Sequence, residues 1–127
     1  MSVNEEGRQV ELAASIEAAS RTLAHSTRRV PRPFDSNRLL AELSQTQDHL
    51  AQVLDQLSAW HSRVSDGVHY DGEDENAIEG ICAPPFAAGS LNRAAENARI
   101  SADYIRKAHA ANNVVRWFDD VPEADQV

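Results

Sequence analysis

This 127-residue chain has a single cysteine and fewer basic than acidic residues. Its single cysteine, Cys82, cannot form an internal disulfide, which fits a reducing compartment. Twelve basic residues stand against twenty acidic ones, and the net charge of −8 disfavours binding to nucleic-acid phosphates or to anionic membranes. No apolar run approaches the roughly 20 residues that span a bilayer, and residues 1–7 contain no apolar signal-peptide core. We therefore expect a soluble, cytoplasmic protein with no nucleic-acid or membrane partner.

A long apolar repeat is the clearest positive feature of the sequence. Its members recur at steps of about three and four residues, which only a helix brings onto one face. Thr46 is the one polar interruption. A stripe of this length needs a partner surface of matching length, because a single helix cannot bury its own apolar face. The repeat consists of Leu39, Leu43, Leu50, Val53, Leu57, Trp60 and Val64.

Two further segments also show helical periodicity. The first is a short amphipathic stripe made by Leu12, Ile16, Ala19 and Leu23. The other is rich in alanine, so that a neighbouring backbone can approach it closely, and consists of Leu91, Ala94, Ala98, Ala102 and Ile105. We predict helices at about 9–28, 36–65 and 87–118, an acidic loop at 66–85 and a flexible acidic tail at 119–127, all within a single helical domain spanning 1–127.

The helix boundaries follow from local signals. Asp35 is a suitable N-cap for the second helix, and Phe34 before it pairs with Leu39 in the pattern of a hydrophobic staple. The third helix has two candidate starts. Either Pro85 occupies its first turn, or Gly89 and Ser90 cap it.

These elements predict an all-α fold, an antiparallel helical bundle built on a long helical hairpin of the second and third helices. The leucines of the second helix are expected to pack on the alanines of the third. An antiparallel arrangement would bring Trp60 near Phe86 at one end of the hairpin. At the other end, it would bring Trp117 and Phe118 near Leu39 and Phe34.

A second apolar flank beside the main stripe indicates a surface that the hairpin does not cover. The candidates to cover this surface are the first helix, a second copy of this chain or another partner protein, and we predict a homodimer in preference to a monomer. An exposed tryptophan at either end of the hairpin would also mark an interaction surface. The predicted interaction residues are Leu40, Leu54, Trp60, Trp117 and Phe118.

No motif for catalysis, a cofactor or a metal is present in the sequence. The histidines do not show the three- or four-residue spacing that brings two ligands onto one helix face. His61, His69 and His109 could meet only through tertiary folding, with help from the acidic segment 66–79. The cluster of Arg28, Arg29 and Arg32 is either a solvated helix end or a site for phosphate or an acidic partner.

The run from Asp48 to Trp60, DHLAQVLDQLSAW, resembles a stretch found in short helical proteins of actinobacteria. In those proteins an alanine-rich helix also follows a variable acidic linker. The resemblance covers about residues 39–111 and implies a helical hairpin, without implying an activity.

The favoured functional interpretation is a non-enzymatic α-helical protein–protein interaction module: an adaptor, regulator or structural subunit that self-associates. The alternative is a helical bundle that binds a small ligand or a metal, with or without enzymatic activity, through His61, His69, His109 and the acidic segment.

Overall fold

The computed structural model describes residues 7–29, 32–63 and 83–114. They form three helices, α1 (Gln9–Ser26), α2 (Pro33–Arg63) and α3 (Ala83–Asn113), and no strand occurs in these residues. The predicted all-α fold is confirmed. None of the helices described is both long and apolar enough to cross a membrane. The described residues divide into two compact units, one containing α1 and the start of α2 to Ser36, the other running from Asn37 through α3.

Helix α1 ends at Ser26, two residues before the predicted end. Both the backbone N–H and the hydroxyl of Thr27 donate to the carbonyl of Leu23, at 2.8 and 2.9 Å, and these bonds satisfy a carbonyl of the last turn. None of the α1 side chains is buried.

Helix α2 begins at Pro33, so Asp35 is not its N-cap. Proline suits the first helical position, because its missing N–H would have no partner there and its φ is already helical. Asp35 lies in the first turn instead, where its charge favours the positive end of the helix dipole. Phe34 therefore lies within the helix, and the predicted hydrophobic staple before the cap is wrong.

Helix α3 begins at Ala83, which places Pro84 and Pro85 in its first turn. The helix therefore starts about four residues before the predicted bound of 87, and of the two candidate starts the one with Pro85 in the first turn is confirmed. Gly89 and Ser90 lie inside the helix.

Helices α2 and α3 form the predicted antiparallel hairpin. Residues early in α2 bond to residues late in α3, since the Asn37 side-chain amide donates to Asn113 Oδ1 at 2.6 Å. Residues late in α2 bond to residues early in α3, since the Ser58 hydroxyl donates to the backbone carbonyl of Ala88 at 2.7 Å.

A line of small residues lies between the two helices. The buried positions on α2 are Ser44 and Ala51, and those on α3 are Ala88, Ala95 and Ala102. Successive members on each helix are seven residues apart, the repeat that keeps one line of side chains facing an adjacent helix. We call these five residues, with Ser58, the seam. The hydrogen bond from Ser58 to Ala88 sets the register, and the seven-residue spacing then places Ala51 opposite Ala95 and Ser44 opposite Ala102.

The residues that form the seam differ from the expected packing of α2 leucines on α3 alanines within one chain. The alanine side of that prediction holds, because Ala95 and Ala102 are fully buried. The α2 side is wrong, because Ser44 and Ala51 face α3, whereas Val53 and Leu57 are 48% and 44% exposed. Small side chains on both helices allow a close approach of the two backbones, and the larger leucines are displaced to one flank.

Candidate interaction surface

Ion pairs connect α2 and α3 along one flank of the seam. Asp48 accepts a hydrogen bond from Arg106 at 2.7 Å, and Asp55 accepts one from Arg99. Both aspartates lie four residues after a seam residue of α2, and both arginines lie four residues after a seam residue of α3. In an antiparallel pair these positions meet on the same flank.

Arg106 joins the two helices and also binds within its own helix. It donates to Asp103 at 2.6 Å and to Asp48 at 2.7 Å. These bonds raise the pKa of Arg106, with the hydrogen bond to Asp103 the larger cause and that to Asp48 the second. All three side chains are partly exposed, so they organise the flank in contact with solvent.

Every Asp, Glu, Lys and Arg of α2 and α3 lies on the same side of the hairpin as these ion pairs. Each lies one, four or five residues after a seam residue, or after a position that continues the seven-residue spacing of the seam along the same helix. These positions form three lines of side chains along each helix. We call this half of the hairpin the charged side. Its charged residues are Asp35, Arg38, Glu42, Asp48, Asp55 and Arg63 on α2, and Arg93, Glu96, Arg99, Asp103, Arg106 and Lys107 on α3.

The opposite half of the hairpin carries no Asp, Glu, Lys or Arg on either helix, and we call it the uncharged face. On α2 its lines are Leu40, Gln47, Leu54 and His61; Leu43, Leu50 and Leu57; and Leu39, Thr46, Val53 and Trp60. On α3 they are Leu91, Ala98, Ile105 and Asn112; Ala87, Ala94, Ser101 and Ala108; and Ser90, Asn97, Tyr104 and Ala111. The Gln47 amide donates to Ser101 Oγ at 3.1 Å, which joins the two halves of this face.

Two of the predicted interaction residues, Leu40 and Leu54, lie half-buried on the uncharged face beside the seam. The apolar stripe predicted for α2 lies on the same face, and its side chains are more exposed the farther they lie from the seam. The α2 half of the uncharged face therefore exposes apolar side chains, among them Val53, Leu57 and Trp60, beyond the flank that Leu40 and Leu54 alone indicated.

Trp60, also on this face, is 54% exposed and makes an edge-to-face contact with His61 at 4.7 Å between ring centroids. Phe86, which we expected near Trp60 at this end of the hairpin, is equally exposed, so neither ring is buried in a core there. Trp117 and Phe118 lie outside the described residues.

The histidines predicted as possible metal ligands are far apart. His61 is three residues from Ser58, which bonds to Ala88, whereas His109 contacts Asn113, which bonds to Asn37 at the other end of the hairpin. The two ends are separated by roughly 36 Å at 1.5 Å per helical residue, so His61 and His109 cannot bind the same ion. In the described ranges, no three His, Cys, Asp or Glu residues are arranged to hold a metal ion. His69, Cys82 and residues 66–82 of the predicted acidic loop fall outside those ranges, whereas residues 83–85, predicted to belong to that loop, lie in α3.

The arginine cluster after α1 includes a helix-capping residue. Arg28 Nε donates to the carbonyl of His25 at 3.2 Å, and its Nη2 lies 3.0 Å from His25 Nε2. A shallow cavity there is lined by His25, Ser26, Arg28 and Arg29. Because helix carbonyls point toward this end, its partial negative charge opposes the binding of a phosphate.

No protein-family model, curated protein or solved structure matches this chain.

Proposed function

We propose that this protein is a non-enzymatic interaction module that acts by self-association of its helical hairpin. The uncharged face is the observation that supports the proposal. It runs the length of α2 and α3, and Val53, Leu57 and Trp60 expose about half of their surface on it. Large contiguous apolar patches with a polar border are characteristic of protein–protein interfaces.

The separation of charge supports the same function. All twelve charged residues of the two helices lie on the charged side, although they are spread along the sequence from residue 35 to residue 107. A hairpin that functioned alone in water would gain solubility from charges on both of its flanks. Charged residues confined to one flank are typical of a helix pair whose other flank is buried against protein.

The resemblance of residues 48–60 to short actinobacterial helical proteins is compatible with this role and adds no activity to it. Light scattering of the full chain after size-exclusion chromatography tests the proposal. A mass of two chains or more at micromolar concentration is expected. A sharp monomer mass across that range would refute it.

A further inference from the structure

The uncharged face is large enough to hold a second hairpin of the same kind. From Leu39 to Trp60 it spans roughly 32 Å, at 1.5 Å per helical residue. Two helices packed about 8–10 Å apart give it a width of roughly 18 Å. The resulting area is on the order of 600 Å² per chain, and two such areas reach the lower limit of stable interfaces, about 1,200 Å² in total.

The two halves of the face differ in side-chain size. The α2 half carries six leucines, a valine and a tryptophan, whereas the α3 half carries mainly alanine, serine and asparagine. Large side chains pack well against small ones, because interdigitation fills the space between helices without voids. The α2 half of one chain therefore complements the α3 half of another.

The two helices also differ in formal charge. Helix α2 has four acidic and two basic residues, a charge of −2, and α3 has four basic and two acidic residues, a charge of +2. An assembly that places α2 of one chain over α3 of the other surrounds each helix with helices of opposite sign. An assembly of α2 over α2 and α3 over α3 would bring like charges together.

We propose that the occupant of the uncharged face is a second copy of this chain, related by a twofold axis parallel to the helices. This inference rests on the proposed self-association and specifies its surface and orientation. The α2 leucines of each chain pack on the α3 alanines of the other, and the product is an antiparallel four-helix bundle with all twelve charges of each hairpin on its outside. The packing of leucine on alanine thus occurs between chains.

The pairing of residues across the seam determines which residues of the two chains lie opposite each other in the dimer. Since Ala51 pairs with Ala95 across the seam, Leu50 of one hairpin is level with residue 96 of the same hairpin. A twofold axis parallel to the helices keeps each residue at its own level along the bundle. Leu50 of one chain therefore lies opposite Ala94 and Ala98 of the other.

Cysteine cross-linking tests this orientation in the full chain. In a Cys82→Ser background, chains carrying Leu50→Cys are mixed and equilibrated with chains carrying Ala98→Cys, and the mixture is oxidised. We expect a disulfide-linked dimer from the mixture and at least tenfold less from either variant alone. Gln52→Cys, on the charged side of α2, is the matched control and should give no product with Ala98→Cys.

Two other outcomes would overturn the inference. Efficient cross-linking of Leu50→Cys with itself would show that α2 packs on α2. A dimer by light scattering that gives no cross-link in the mixture would show that another surface joins the chains, or that α1 covers this face. In both cases the proposed function survives. A monomer mass for the unmodified chain contradicts the function itself, so the two failures are distinct.

Discussion

The hydroxyl of Ser58 donates a hydrogen bond to the backbone carbonyl of Ala88, across the hairpin, at 2.7 Å. A side chain as short as serine reaches the backbone of another helix only when the two helices lie close together. The buried alanines at Ala51 and Ala95 permit that approach. The hydrogen bond therefore reports the close helix spacing that small seam residues create, and it fixes the register of the hairpin.

Replacement of Ser58 by alanine should lower the free energy of unfolding by about 1 kcal/mol, since an intramolecular hydrogen bond contributes roughly 0.5–1.5 kcal/mol. Ser62→Ala is the matched control, because Ser62 donates to Ala59 of its own helix and is exposed. It should cause no loss, as alanine has the higher helix propensity. Chemical denaturation followed by far-UV circular dichroism measures both, at one protein concentration because association shifts apparent stability. Equal losses would argue against a contribution from the interhelical bond.

Replacement of Ala95 by leucine should destabilise the hairpin by about 2 kcal/mol, within the range of roughly 1–3 kcal/mol for overpacked cores. Ala95 is fully buried at the middle of the seam, so additional methyl groups would force the helices apart. Ala110→Leu makes the same chemical change at an exposed position of α3 and should alter stability by only a few tenths of a kcal/mol. Thermal unfolding checks the pair. A harmless Ala95→Leu would mean that the seam is not closely packed.

Helical periodicity predicted α2 and the antiparallel hairpin well, because Leu39 to Trp60 repeat too regularly for any other element. It did not predict which face of α2 meets α3. A hydrophobic pattern ranks positions by the free energy of burying each side chain, and on that scale Leu50 and Leu57 outrank Ser44 and Ala51. This scale takes no account of two effects of small residues on both helices. They allow the helices to approach closely, and they allow Ser58 to form its interhelical hydrogen bond.

The charged side of the hairpin could have been found from the sequence, had the acidic and basic residues been placed on seven-residue lines as the leucines were. Asp48 and Asp55 are seven residues apart, as are Arg99 and Arg106. The start of α2 was harder to predict. Asp35 and Pro33 are both typical of helix starts. Which of them begins the helix depends on the path of the preceding chain, which the local sequence does not encode.

Gly89→Ala should stabilise the protein by about 1 kcal/mol, the difference in helix propensity between the two residues. Gly89 lies inside α3 on the charged side, and a Cβ atom added there would meet no other atom within 4 Å. Gly7→Ala is the control in equally open space, and because Gly7 lies at a helix end, immediately before the turn at Arg8, the gain there should be smaller. Denaturation midpoints measure both variants. A loss of stability in Gly89→Ala would show that this position contacts another chain closely.

The Asp55–Arg99 ion pair should contribute about 0.5 kcal/mol, since both side chains are more than a third exposed and solvent screens them. A double-mutant cycle with Asp55→Asn and Arg99→Gln isolates that coupling from other effects of each substitution. The coupling should decrease as salt is added, because exposed charges are screened. A cycle on Glu17 and Arg21, an exposed pair within α1, provides the comparison. A coupling insensitive to salt would contradict the exposed geometry.

Trp60 should report the proposed association by fluorescence. It is 54% exposed on the uncharged face, and contact with a second chain would remove water from its indole ring. In a Trp117→Phe variant, Trp60 is the sole tryptophan. Its emission maximum should then move to shorter wavelength as protein concentration rises through the dissociation constant of the dimer.

A second substitution identifies the cause of that shift. Adding Leu50→Arg places a charge at the centre of the uncharged face and should abolish the shift, while circular dichroism shows whether the helices are retained. Gln52→Arg adds the same charge on the charged side and should leave the shift intact. If Leu50→Arg leaves the concentration dependence unchanged, Trp60 is responding to a contact elsewhere on the molecule and the uncharged face is not the surface that joins the chains.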